Sequence, residues 1–135
     1  RWDSVTGLVR ELAAAVKGEG KRVTAAVFPT PTIARALVRQ SWDEWPLDAF
    51  FPMLYNGFYK EGLPWIAGGV REAVAALPPG RPVYAGLYVS PLGAAEFTTT
   101  VEMAMAGGAA GVSIFDAGAM TAERWSLLRA IVGAR

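Results

Sequence analysis

The sequence contains neither cysteine nor histidine. Without these residues the chain cannot form a disulfide, a thiolate nucleophile, a zinc site built on Cys or His, or a Ser-His-Asp triad. Any chemistry must therefore use carboxylates, hydroxyls, amides and amines, or a group borrowed from elsewhere. We expect no metal ion and no cofactor.

Charge is sparse and balanced. Charged residues make up 19% of the 135 residues, and 13 basic side chains against 12 acidic ones give a formal net charge of +1. They are spread along the chain, so no basic stripe offers the footprint that a phosphate backbone needs. Long hydrophobic runs are also missing, since no uninterrupted apolar segment approaches the ~20 residues of a membrane span. We expect neither nucleic acid nor a membrane as partner.

Apolar residues, in contrast, are plentiful. They make up 53% of the sequence, which is enough for one compact core and too much for a disordered chain. We expect residues 1–135 to form a single domain. Because the sequence begins at Arg1 rather than at Met, we also expect it to be a piece of a longer protein.

Four short apolar runs recur along the chain, and each is followed by a turn cluster and then by apolar residues at helical spacing. We predict strands in RVTAAVFP at 22–29, DAFFPMLY at 48–55, RPVYAGLYV at 81–89 and GVSIFDAG at 111–118. The helix after the first strand is predicted to cover TIARALVRQSWDEW at 32–45, with its tryptophans in the core. Another helical segment, DSVTGLVRELAAAVKGEG, precedes the first strand. The predicted order is α(βα)4.

The predicted strands are nearly continuous in hydrophobicity, and their connections are long enough for crossovers, which indicates a parallel α/β sheet. Two architectures share this pattern: half of an eight-stranded TIM barrel, and a small open doubly wound sheet. A doubly wound nucleotide binder would normally carry a Gly-rich loop after its first strand, but that position reads FPTPTIARAL, without glycine. The half-barrel is favoured, and the open sheet is the alternative.

Ligands of parallel α/β proteins bind at the carboxyl ends of the strands. The candidate substrate-binding residues at those ends are Tyr55, Asn56, Tyr88 and Ser90. A tyrosine ring offers an apolar face and a polar tip, and the amide and the hydroxyl add hydrogen-bonding groups. This mixture is suited to sugars. The alternative for the tyrosines is a place in the core with only the hydroxyl at the surface.

Asp116 is the only acidic residue at the carboxyl end of a predicted strand, and it is the candidate catalytic residue. The alternation of side chains along a strand places it on the same face as Val112 and Ile114. Its alternative roles are a cap for the helix that begins near Thr121 and a turn former before Gly118.

The stretch VRQSWDEWPLDAFFPMLYNGFY resembles the later half of bacterial glycoside hydrolases with a TIM-barrel fold, of the family-10-like kind. The most particular part runs from Trp42-x-x-Trp45 into Pro52-Met53-Leu54-Tyr55-Asn56. A weaker likeness is to chitinase-type barrels, whose sixth strand ends Met-x-Tyr-Asp. The corresponding residues here are Met53, Tyr55 and Asn56, so an asparagine replaces the aspartate.

The resemblance implies that the four strands are the fifth to the eighth of a barrel, and that the whole protein hydrolyses an oligosaccharide or a polysaccharide. Glycoside hydrolysis requires two carboxyl groups, and only Asp116 is suitably placed, so we expect the isolated chain to be inactive. The alternative function is a non-catalytic carbohydrate-binding or scaffold domain derived from such a barrel. A half-barrel leaves strand edges open, and we expect them to pair with the missing N-terminal half-barrel or with a second copy of the chain.

Overall fold

The computed structural model describes residues 2–133, in which helices and strands alternate after a first helix. The helices are α1 (Trp2–Gly18), α2 (Pro31–Val38), α3 (Pro64–Ala76), α4 (Ala94–Ala106) and α5 (Ala122–Val132). The strands are β1 (Thr24–Val27), β2 (Ala49–Pro52), β3 (Tyr84–Tyr88) and β4 (Gly111–Phe115). The α/β class and the α(βα)4 order are confirmed. Within residues 2–133, none of the helices combines the length and the apolar character that a membrane span requires.

All strand pairings in the described residues are parallel and follow chain order. β1 pairs with β2 from Thr24↔Ala49 onwards, and β3 pairs with β4 from Tyr84↔Gly111 onwards. Isolated parallel bridges join β2 to β3. The result is a small open α/β domain with two parallel strand pairs side by side, in the order β1, β2, β3, β4.

The junction between β2 and β3 is weak because of Pro52. The N–H of Phe50 donates to the carbonyl oxygen of Pro82 at 3.1 Å, and the N–H of Leu54 donates to that of Gly86 at 2.9 Å. The donor between these two bonds would belong to Pro52, which has no N–H. The hydrogen-bond ladder is therefore interrupted, and the four strands divide into two pairs.

One face of the sheet carries the helices. Val27, Phe50, Ala85 and Leu87 point to this face and are fully buried. They belong to two apolar clusters, one with α1 and α2 and the other with α4 and α5, while α3 contributes to both. Burial of each large apolar side chain stabilises the fold by about 1.5–3 kcal/mol relative to leaving it in water.

The prediction of a single helix over 32–45 is wrong in its second half. α2 ends at Val38 because Arg39 adopts the left-handed conformation, with φ of 57°. Trp42 then lies in a 3-10 turn, and Trp45 follows it. Both indoles are buried as predicted, and the Nε1 of Trp42 donates to the carbonyl oxygen of Phe28 at 3.1 Å. The break lets the chain turn so that both indoles reach the core.

The opposite face of the sheet carries no helix in the part of the chain that the structure describes. Phe51 of β2 and Tyr84 of β3 stack on this face, with ring centroids 5.1 Å apart. Both side chains are only partly buried. This uncovered sheet face, which we define by Phe51 and Tyr84 and by Phe115 at the end of β4, is an apolar surface continuous with the carboxyl edge of the strands.

Candidate functional site

Because the strands are parallel, their carboxyl ends lie at one edge of the sheet. Four aromatic residues meet there. Tyr55 follows β2, Phe58 lies in the next 3-10 turn, Tyr88 ends β3 and Phe115 ends β4. We call these four residues the rim cluster.

The rings of the rim cluster contact one another in tilted arrangements. The ring centroid of Tyr55 lies 5.9 Å from those of Phe58, Tyr88 and Phe115. Tyr88 lies 5.3 Å from Phe58 and 6.1 Å from Phe115. Such distances and tilts are favourable for aromatic pairs. Phe58 is nevertheless 67% exposed and Phe115 52% exposed, so the cluster presents two apolar rings to solvent.

The turn that carries Phe58 is held in place by its own backbone and by Asn56. The Nδ2 of Asn56 donates to the carbonyl oxygen of Glu61 at 3.0 Å. Lys60 closes the turn in the left-handed conformation, with φ of 55°. Asn56, which the sequence predicted to bind substrate, thus uses its amide nitrogen to fix the loop that displays Phe58.

Two hollows flank Phe58 at this edge. The larger, of about 310 Å³, is lined by Phe28, Met53, Tyr55, Phe58 and Tyr59. The smaller, of about 190 Å³, is lined by Gly57, Phe58, Tyr88 and Pro91. All of these lining residues have uncharged side chains. The hollows therefore suit a ligand with apolar faces and a few hydroxyl groups.

Two tyrosine hydroxyls in the larger hollow stay protonated well above neutral pH. Burial raises the pKa of Tyr55 and the pKa of Tyr59 above the usual 10.0. The ring of Tyr59 also stacks on Trp65, with centroids 5.3 Å apart. Each neutral phenol can both donate and accept a hydrogen bond.

Asp116 is exposed and directly follows Phe115. Its alternative role as a helix cap is wrong, because the cap of α5 is Thr121, whose Oγ1 accepts from the N–H of Arg124 at 3.2 Å. The Asp116 side chain makes no capping hydrogen bond to the short 3-10 turn that follows it. Its carboxylate is therefore not explained by capping.

The face of β4 that was predicted to carry Asp116 does not line the carboxyl edge of the sheet. Val112 and Ile114, which lie on that face, pack against the core on the helix side. Phe115 lies on the other face of β4, and its ring joins the rim cluster. The sequence did not single out Phe115, although an aromatic residue directly before the candidate carboxylate was a usable signal.

Of the predicted site residues, Tyr55 and Tyr88 are in ring contact. Ser90 is exposed and lies two residues beyond Tyr88 at the same edge. Phe58 lies beside them but is not one of the four residues predicted to bind substrate. Its exposure depends on the 3-10 turn, which a pattern of residues does not show.

Arg124 is another residue that the sequence did not single out. Its guanidinium donates to the carbonyl oxygen of Val89 at 2.9 Å and to that of Ala119 at 3.0 Å, and it also donates to the carbonyl oxygen of Leu92. It lies 5.5 Å from the centroid of the Phe97 ring. Arg124 thereby ties α5 to the loops after β3 and β4, next to the rim cluster.

A further hollow, of about 240 Å³, lies between α2 and α3 and includes Trp65 and Glu72 in its lining. The Oε1 of Glu72 accepts from the N–H of Thr32 at 2.9 Å, which satisfies a donor at the start of α2. Glu72 therefore has a structural role there. Among residues 2–133, no group of three or more acidic side chains is arranged to hold a metal ion.

Comparisons of the chain with protein-family models, with curated proteins and with solved structures find no match.

Proposed function

We propose that this chain is the C-terminal half of a TIM-barrel glycoside hydrolase and that it supplies part of the carbohydrate cleft. The observation that carries the proposal is the rim cluster, where exposed rings and tyrosine hydroxyls meet at the carboxyl edge of parallel strands. A sugar ring has an apolar face that stacks on an aromatic ring and a hydroxyl edge that needs hydrogen bonds. The rim cluster offers both.

The half-barrel part of this proposal is supported by the order of the strands and by the burial of the helices. The strands follow chain order, as successive strands of a barrel do. α3 and α4 each contribute fully buried residues to the core, whereas no residue of α5 in the described chain is fully buried. The helices therefore cover the sheet incompletely at its β4 end. The partner proposed to supply it is the missing N-terminal half-barrel or a second copy of the chain.

Asp116 is the proposed catalytic carboxylate of this half. Hydrolysis ordinarily needs two carboxyl groups about 5–10 Å apart, one protonated and one ionised. The second would come from the other half of the barrel, so the isolated chain should not turn over aryl glycosides. Turnover by the isolated chain that is abolished by Asp116→Asn would contradict this part of the proposal.

Binding of a neutral oligosaccharide, followed by NMR titration or calorimetry, tests the cleft. We expect Phe115→Ala to weaken binding at least about fivefold, because it removes an exposed apolar ring worth about 1 kcal/mol or more. The matched control is Leu37→Ala, since Leu37 is 64% exposed and lies on α2, outside the rim cluster. Equal weakening by both variants, or unchanged affinity in Phe115→Ala, would contradict a sugar cleft at the rim.

A non-catalytic carbohydrate-binding domain is the second candidate. It is favoured by the fact that the rim cluster is already assembled within this chain, independently of any second carboxylate. Under this function, Asp116→Asn leaves both sugar affinity and stability unchanged. The hydrolase function instead requires Asp116 once the barrel is complete.

A further inference from the structure

We infer that the two hollows beside Phe58 hold adjacent units of an uncharged oligosaccharide, with the Phe58 ring as the divider between them. This inference rests on the proposed carbohydrate cleft and specifies its ligand. The cleft then takes a chain of at least two sugar units in preference to a monosaccharide.

The geometry around Phe58 carries the inference. Phe58 lines both hollows, and each hollow contains a different tyrosine of the rim cluster. The Phe58 ring lies 5.9 Å from Tyr55, which lines the larger hollow, and 5.3 Å from Tyr88, which lines the smaller one. Each hollow therefore combines the shared Phe58 ring with a tyrosine of its own. A single sugar unit can use only one of these combinations.

The chemistry of the linings selects against charged sugars. No side chain that lines either hollow is acidic or basic. A carboxylate, phosphate or ammonium group on the ligand would lose water without gaining an opposite charge, which is costly. The phenol hydroxyls of Tyr55, Tyr59 and Tyr88 can pair with neutral hydroxyl or amide groups instead.

The divider is preorganised. The Asn56 hydrogen bond to the carbonyl oxygen of Glu61 and the left-handed Lys60 fix the turn that carries Phe58. Because the ring is already in place, ordering it on binding costs little entropy. A preorganised ring that lines both hollows should therefore favour a ligand that reaches both of them.

The test is a chain-length series measured on the full chain by NMR titration. The probes are glucose, cellobiose and cellotriose, the matching series from N-acetylglucosamine, and the deacetylated N-acetylglucosamine dimer, which is cationic. In the series that binds, we expect the dimer to bind about tenfold tighter than the monomer, because a second apolar sugar face is buried. We expect the cationic dimer to bind at least about tenfold more weakly than its acetylated counterpart.

The decisive variant is Phe58→Ala. It should reduce the advantage of dimer over monomer to about twofold or less, whereas Phe58→Tyr should keep it and Leu37→Ala should not change it. Equal affinity for monomer and dimer in the unaltered chain, or a dimer advantage that survives in Phe58→Ala, would overturn the inference and leave the proposed function standing. Absence of binding by every probe would overturn both. Phe58 is largely exposed, so the alanine variant should fold, and circular dichroism can verify this.

Discussion

Asp48 and Val23 exchange two hydrogen bonds at the amino ends of β1 and β2. The N–H of Val23 donates to the Oδ2 of Asp48 at 2.7 Å, and the N–H of Asp48 donates to the carbonyl oxygen of Val23 at 2.8 Å. The Nζ of Lys17 lies 3.8 Å from the other carboxylate oxygen. These contacts hold the strands together at the edge opposite the rim cluster. Substitutions at this edge can therefore alter stability without removing any residue of the rim cluster.

Asp48 should make stability depend on acid pH. The hydrogen bond from Val23 lowers the pKa of Asp48 below the usual 3.8, and Lys17 adds to this effect. Because the pKa of Asp48 is lower in the folded state than in the unfolded state, its ionised carboxylate stabilises the fold at a pH above the unfolded-state pKa. This stabilisation is lost as the pH falls through the folded-state pKa. We expect Asp48→Asn to be less stable than the unaltered chain at pH 7, with the difference shrinking below about pH 3.8. Urea unfolding across this range measures it, with the exposed Glu102→Gln as control. A pH-independent difference would contradict the prediction.

Tyr55 and Tyr59 should ionise later than a free tyrosine. Burial raises the pKa of both above 10.0, so the folded state retains protons that the unfolded state has lost. Their contribution to stability is complete below the unfolded-state pKa and is lost as the pH rises through the folded-state value. An ultraviolet titration of tyrosinate should show a late component that shrinks in Tyr55→Phe and shrinks further in the double Phe variant. A titration in which every tyrosine ionises with the usual pKa would contradict this prediction.

Gly86→Ala should weaken the junction between β2 and β3. A Cβ at this position would lie 2.7 Å from the carbonyl oxygen of Pro52, so backbone must move. We expect a loss of about 1–3 kcal/mol in the free energy of unfolding, as for other overpacked sites. Gly68→Ala is the matched control, because a Cβ there meets nothing within 4 Å and α3 gains helix propensity. A loss in Gly68→Ala as large as that in Gly86→Ala would refute the steric explanation.

Arg124→Ala should loosen the loops beside the rim cluster. It removes three hydrogen bonds to carbonyl oxygens and the contact with the Phe97 ring. We expect a loss of about 2 kcal/mol or more in the free energy of unfolding. Arg124→Lys should recover only part of it, because an ammonium lacks the planar fork of donors. The exposed Arg129 on the same helix provides the control substitution to Ala. Full recovery by lysine would show that charge alone matters.

The uncovered sheet face should make the isolated chain associate. Phe51 and Tyr84 stack on the face that carries no helix among residues 2–133, and the net charge of +1 provides little repulsion between copies. We expect the mass from sizing chromatography with light scattering to rise with concentration. Phe51→Ser should reduce this rise, whereas Leu37→Ser, on the other side of the molecule, should not. A strictly monomeric chain at high concentration would rule out the association.

The predicted resemblance to glycoside hydrolases rests on a stretch whose own structure was only partly predictable. Trp42 and Trp45 are in the core as predicted, but the helix that should have contained them ends at Val38. Helical spacing of apolar residues does not reveal a left-handed residue such as Arg39. That conformation is adopted because two indoles must reach the sheet, which is a tertiary requirement.

The sequence by itself determined the number, type and order of the elements, because the hydrophobic periods of helices and strands are local properties of the chain. It also placed Tyr55 and Tyr88 at the same edge, since parallel strands share the direction of their ends. Tertiary structure alone decided that Phe115 rather than Val112 and Ile114 faces the site, and that Arg124 holds the adjoining loops. The physical reason is that alternation along a strand defines two faces, whereas only packing against helices decides which of them is buried.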